Sequence, residues 1–307
     1  MEIKENVSLK PFTVFQVGGP ARFFIDAGSK EEIIRALEWT RDKKVPYFIL
    51  GLGSNILVSD KGFPGLVIKI SGGRISRDGD LITVEAGAKM AEVVNFSLQN
   101  DLVGFEWAIG IPGTVGGSVR GNAGCFGSEM KDAVQEVEGY DMNQGRFFSF
   151  DNGACEFSYR HSIFKERPEL IVLEVLLKLR AGDPKQSRDL VRKYTQHRLH
   201  TQDIGRSSAG SVFKNVAPGV GARLPPGVKA AGSGPADFIA IASLIETAGL
   251  KGFKIGGVMV SPKHANFIIN TGDARAEDIV MLVGLIKERI HRKFGIQLEE
   301  EIQYVGF

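Results

Sequence analysis

The chain of 307 residues has only two cysteines, Cys125 and Cys155. That is too few for a disulfide framework or a cysteine-based zinc site, so a reducing compartment is expected and no metal is called for. Long apolar runs are missing as well. The opening MEIKENVSLK has no signal core, and no segment approaches the roughly 20 apolar residues of a membrane span. The expectation is a cytoplasmic protein that does not engage a membrane. Nor is there an excess of one charge: 38 Lys and Arg face 36 Asp and Glu. No general field draws nucleic acid, and an anionic substrate must be met by local cations. Two familiar phosphate loops are also absent. There is no G-x-x-x-x-G-K-[ST], and GLGSNI carries Gly51 and Gly53 but Ile56 where a dinucleotide loop needs its third glycine. A P-loop ATPase and a Rossmann NAD domain are both disfavoured.

Glycine, by contrast, is abundant. The 38 glycines amount to about 12% of the chain, against a usual level of about 7%. Seven of them fall in IGIPGTVGGSVRGNAGCFG, residues 109–127. Such a run supplies positive φ angles or lets a ligand touch the main chain, and rows of free N–H groups bind anions. GLGSN at the end of a predicted strand is a second cluster. Ser54, Asn55, Ser118 and Asn122 interleave the two and add hydrogen-bond partners, so the pair is read as facing one diphosphate from two sides.

The pattern along the chain is α+β. ARFFIDA reads as a strand, and SKEEIIRALEWTRDKK as a helix with Ser29 and Glu32 in capping-box spacing. YFIL and GLVIKI are further strands that close a first unit at residue 70. Residues 71–182 form a second unit with strands in LITVEAGA, EVEGYD, GRFFSF and LIVLEVLLKLR, plus a helix in KMAEVVNFSLQND. A polar helix over 183–200 leads to a third unit, 183–307. Past that helix it begins with RSSAGSVFKN; ADFIAIASLIETAGL is read as a helix, residues 276–294 as a long helix, and LEEEIQYVG as the last strand. The segment 216–235 is so rich in Gly, Pro and Ala that it reads as a surface excursion.

Six motifs in order, GLGSNILVSDKGFPGLVI, IGIPGTVGGSVRGNAGCFG, YRHSIF, AGSVFKN, IGGVMVSPKHANFIIN and FGIQLEEEIQYVG, make the chain resemble the UDP-N-acetylenolpyruvoylglucosamine reductase family. These are the UDP-N-acetylmuramate dehydrogenases of peptidoglycan precursor synthesis. The likeness covers nearly the whole chain, with 216–235 as the main exception. It implies a two-part FAD-binding fold of the vanillyl-alcohol-oxidase (PCMH) type, followed by an α+β substrate domain whose last strand packs back on the FAD domain. FAD is expected to be non-covalent, since neither glycine loop carries a histidine. The FAD residues implied are Gly51, Gly53, Ser54 and Asn55 in one loop and Ile111, Pro112, Gly113, Gly116, Gly117, Ser118, Asn122, Ala123 and Gly124 in the other.

The resemblance further implies reduction of UDP-N-acetylglucosamine enolpyruvate, with NADPH as hydride donor through FAD. Hydride adds to the enol β-carbon and a proton completes the α-carbon. Such a reaction needs charge stabilisation at the carboxylate, a proton donor and a dry site. Arg160 matches the arginine that holds the carboxylate with two parallel bonds. Ser211 matches the proton donor. Glu301 is the glutamate of the family register; alternation puts it with Glu299 on one face and sets Glu300 with Leu298 and Ile302 on the other. Asn215, which shares a face with Ser211 by period two if AGSVFKN is a strand, Tyr159, Lys251, Lys263 and His264 are the substrate-binding candidates. Glu300 and Gln303 stand where relatives often carry Pro and Arg. No tyrosine-bearing loop precedes Ser211, and 216–235 is a candidate lid. A monomer is the simpler expectation. The joint presence of Arg160, Ser211 and Glu301 argues against an alcohol or lactone oxidase of the same fold, which needs a base instead; the other alternative, a redox-inactive sugar-nucleotide-binding module, predicts a colourless protein.

Overall fold

The computed structural model describes residues 2–217, 228 and 238–307. The candidate lid, 216–235, lies almost wholly outside the described residues. The chain divides into two compact units. The first comprises residues 1–4, 24–51 and 65–198, the second residues 5–23, 52–64 and 199–307. These divisions do not coincide with the boundaries expected at 70 and 182.

The first unit is built on a five-stranded antiparallel sheet. Its order is Arg146–Asp151, Val134–Asp141, Leu170–Lys178, Leu81–Glu85, Ile75–Asp78. Alternation explains one face: in Leu81–Glu85, Ile82 and Val84 are fully buried and join Val175 and Leu177 of the neighbouring strand in the core. A parallel pair, Tyr47–Leu50 with Phe63–Ile70, is accompanied by the helix Lys30–Lys43. The capping signal of that helix is half realised. Ser29 Oγ accepts from Glu32 N at 3.2 Å, while the Glu32 carboxylate accepts from Gly28 N at 2.9 Å, one residue before the cap.

Against the sheet lies the short helix Val115–Arg120 in the glycine stretch. Val115 N donates to Ala88 O at 2.8 Å and Gly116 N to Ala86 O at 2.9 Å. A β-carbon on Gly116 would meet Ala86 Cβ at 2.8 Å, so this glycine is required by the protein's own packing.

In the second unit the helix Ala276–Phe294 buries Ile279, Leu282, Val283, Ile286, Ile290 and Phe294, a 3- and 4-residue spacing on one face. Each such side chain contributes about 1.5–3 kcal/mol on burial. The helix stops at Gly295, whose φ of 72° continues into a left-handed cap. Its first turn is satisfied from far away: the Asp60 carboxylate accepts from Ala276 N at 3.0 Å and Glu277 N at 3.2 Å. The same unit holds the sheet Lys254–Ile255, Val258–Val260, Ile268–Asn270 and a parallel pair of Gln303–Val305 with Ile56–Val58.

AGSVFKN is not a regular strand. It makes two isolated bridges, Ser211 to Phe267 and Phe213 to Glu300. Between them the amide side chain of Asn266 takes the place of a neighbouring strand, accepting from Phe213 N at 3.0 Å and donating to Phe213 O at 2.8 Å. The last strand is likewise confined to Gln303–Val305, shorter than LEEEIQYVG. Among the described residues, no helix is long and apolar enough to cross a membrane.

Candidate active site

Most glycines of the two clusters answer to the protein itself. Gly53, at φ 61°, would place a β-carbon 2.0 Å from Phe12 O, and Gly51 would place one 2.7 Å from Thr114 Oγ1. The second contact sets the start of GLGSN against the residue that opens the helix Val115–Arg120. That helix start is not the anion cradle suggested by its glycines. The N–H groups of Val115, Gly116 and Gly117 are already bonded, the last to Thr114 Oγ1 at 3.3 Å. Ile111 N is also bonded, to Ala108 O, Gly113 O accepts from Met90 N, and Ala123 N donates to Ser118 O. Pro112 has no N–H to offer.

The free donors lie in the other cluster. Among the described residues, nothing accepts from the backbone N–H of Leu52, Gly53, Ser54 or Asn55. Their carbonyls and side chains hold the loop in place: Gly53 O accepts from Val14 N, Asn55 O from Gln303 N, and Asn55 Nδ2 donates to Glu301 O at 3.0 Å. Successive unpaired N–H groups in a turn with a left-handed residue form an anion-binding concavity. Donors of this kind suit a phosphate anion.

Asn122 fits that role poorly. It is fully buried, and its amide is committed to Glu129, Ser158 and Lys131. Ser118 is buried as well. Arg160 sits in the tight turn Ser158–His161 of the first unit at φ 56°. Its Nη2 donates to Gly124 O at 3.0 Å and its guanidinium lies 5.1 Å from the Tyr159 ring centre.

Ser211 and Glu301 belong to the second unit and are brought close in register. Glu301 N donates to Val212 O at 2.7 Å, and Lys214 N to Glu299 O at 2.9 Å. The two neighbouring carboxylates are each neutralised: Glu299 pairs with Lys214, and Glu300 takes Lys287 Nζ on both oxygens at 2.9 and 3.0 Å. Glu300 is thus bound to the long helix, although Leu298 and Ile302, expected on its face, are buried in the core.

The remaining candidates have protein partners. Asn215 Oδ1 accepts from Ile241 N at 3.2 Å at the start of the helix Ile241–Thr247, Lys251 pairs with Glu246 at 2.7 Å, and Lys263 Nζ donates to Leu199 O and Gln202 O at 3.0 and 3.3 Å. His264 packs on Phe267 with ring centres 4.3 Å apart, and burial holds its pKa below the ordinary histidine value. Among the described residues its Nδ1 has no hydrogen-bond partner. Sequence reasoning missed Asn266 and the network around Asn122. The only signal for the latter was an Asn between Gly121 and Gly124, where left-handed backbone is tolerated.

The model of the UDP-N-acetylenolpyruvoylglucosamine reductase C-terminal domain matches residues 202–305, and an FAD binding domain model matches residues 21–151. The UDP-N-acetylenolpyruvoylglucosamine reductase of Caldanaerobacter subterraneus subsp. tengcongensis is 41% identical over 98% of this chain and 93% of its own length. The chain belongs to the UDP-N-acetylenolpyruvoylglucosamine reductase family. Another reductase of that name, from Syntrophomonas wolfei, is 39% identical over 99% of this chain and 95% of its own. A crystal structure of the UDP-N-acetylenolpyruvylglucosamine reductase of Thermus caldophilus shares 33% identity, with 99% of each chain covered and a TM-score of 0.78. The α+β fold, with an FAD-binding domain followed by the reductase family's C-terminal domain, is therefore borne out, and FAD is the cofactor.

Proposed function

We propose that this protein reduces UDP-N-acetylglucosamine enolpyruvate to UDP-N-acetylmuramate, with NADPH as hydride donor. The observation that carries the reading is the pairing of the Ser211 segment with the Glu301 segment through Glu301 N and Val212 O, in a chain of this reductase family. The chemistry FAD supplies when bound is hydride transfer between NADPH and the enol β-carbon.

The protein's part is binding, orientation and proton delivery. Gly51, Gly53, Ser54 and Asn55 would hold the FAD diphosphate, and Gly116 and Gly117 would present it backbone free of side chains. Arg160 takes the substrate carboxylate in two parallel charge-assisted bonds and stabilises charge that builds there. Ser211 delivers a proton from Oγ to the α-carbon, and Glu301 hydrogen-bonds the developing enediolate. Pairing of Lys214 and Lys287 with Glu299 and Glu300 leaves Glu301 beside neutralised pairs and not beside two bare carboxylates. Lys251, Lys263 and His264 meet the nucleotide sugar, the two lysines exchanging their present partners for phosphate oxygens, with Asn215 and Tyr159 lining the sugar.

The test is a two-stage reaction of the purified yellow protein: reduction with NADPH, then addition of the enolpyruvyl sugar nucleotide. Rapid reoxidation specific to that compound is expected. Intact FAD that is reduced but not reoxidised by it would overturn the substrate assignment.

A further inference from the structure

The turn that carries Arg160 is held from outside itself. Ser158 and His161 close it with reciprocal backbone bonds of 3.1 and 3.0 Å, and Arg160 adopts a φ of 56° that a residue with a side chain takes only under constraint. The constraint comes from the glycine stretch. Asn122 Nδ2 donates to Ser158 O at 2.8 Å, Arg160 Nη2 to Gly124 O at 3.0 Å, and Ser162 Oγ to Arg120 O at 2.7 Å.

Asn122 is the centre of this bracket. It is wholly buried at a φ of 41°, and its second amide bond goes to Glu129 Oε2 at 2.9 Å, while its Oδ1 accepts from Lys131 N at 3.0 Å. A side chain with two donors and an acceptor on a short stem is needed here. An aspartate has the shape but no donor, and would face the Glu129 carboxylate. The tip of the short hairpin that pairs Gly124–Cys125 with Ser128–Glu129 is fixed too: Phe126 stacks on Tyr194 at 4.0 Å with planes 9° apart, and Arg198 lies 5.4 Å over the Phe126 ring.

We infer that Asn122 is a positioning residue for Arg160, tying its turn to the glycine stretch so that the guanidinium is presented to the substrate carboxylate. The inference rests on the proposed role of Arg160. It gives the second half of the glycine stretch a task separate from cofactor binding.

The experiment compares FAD-loaded Asn122→Gly, which keeps the backbone relaxed and removes the amide, with Arg160→Met and the double variant. Asn122→Gly should raise KM for the enolpyruvyl sugar nucleotide and slow flavin reoxidation by it about 100-fold, the scale of a 1 Å misplacement. FAD affinity, titrated by flavin fluorescence on the stripped protein, and reduction by NADPH should stay as in the parent. In the Arg160→Met background the same change should cost almost nothing, because residues acting as one unit are not additive. Additive losses, or weakened FAD binding that accounts for the loss, would overturn the inference. An Arg160→Met variant with unaltered reoxidation would instead overturn the role of Arg160, and this proposal with it. Should Asn122→Gly fail to fold, Ser162→Ala decides by the same cycle: a non-additive loss supports the bracket and an additive one rejects it.

Discussion

Glu301 gives its backbone N–H to the carbonyl oxygen of Val212 at 2.7 Å, which sets it one register position from Ser211. Two segments almost 90 residues apart are joined where the proposed reaction calls for a proton donor and a carboxyl. Ser211→Ala should therefore leave flavin reduction by NADPH nearly intact and slow reoxidation by substrate, by about 10²- to 10⁴-fold as for loss of a general acid. Stopped-flow absorbance of the flavin separates the two halves. Equal losses in both would mean a damaged fold and not a missing proton.

Gly53 combines a φ of 61° with Phe12 O only 2.0 Å from where a β-carbon would stand. Gly53→Ala should cost about 2 kcal/mol or more, since strained backbone and a clash with main chain act together. Thermal unfolding should show a lower Tm, and the loop that offers the N–H groups of Leu52 to Asn55 should lose FAD on gel filtration.

His264 is held neutral by burial, with a folded-state pKa below 6.5. The unfolded chain then binds more protons than the folded one at pH values just below 6.5. Its contribution to stability is complete above that pH and is lost as pH falls through 6.5 toward the folded pKa. Urea midpoints at about pH 7.5 and about pH 5.5 should draw together in His264→Gln relative to the parent protein. An unchanged gap would exclude this histidine as the source.

Cys155 is fully buried, and burial with the nearby Asp151 pushes its thiol up to about 12. Cys125 is also raised, chiefly by burial. In native protein at about pH 8, Cys155 should resist thiol reagents that act through the thiolate, and denaturant should release it. Mass spectrometry of the labelled peptides reads the outcome directly.

Where local rules govern, the sequence was a reliable guide. Ser29 and the apolar spacing of Ile33 and Leu37 marked the first helix, and the periodic residues of Ala276–Phe294 marked the long one to its ends. Whether AGSVFKN is a strand was not legible because its edge partner is a side chain: nothing local to Phe213 announces that Asn266 will serve as its neighbour. The two glycine clusters were read for a ligand, yet Gly51, Gly53 and Gly116 first answer to Thr114, Phe12 and Ala86, contacts set by tertiary packing. Lys263 looked like a phosphate cation and is found on the carbonyls of Leu199 and Gln202, a choice that depends on where a helix happens to end.

The Asp60 cap on Ala276–Phe294 and the pairing of Gln303–Val305 with Ile56–Val58 have a consequence for how the chain is made. During synthesis, residues 5–23 and 52–64 emerge early but have to wait for the last strand before their unit can close. The first unit can condense around its antiparallel sheet in the meantime. Long-range closure of this kind is slow, and it exposes the early strand Ile56–Val58 to wrong partners until translation is finished. A nascent chain stalled before residue 303 should thus carry a protected first unit and a protease-sensitive second one.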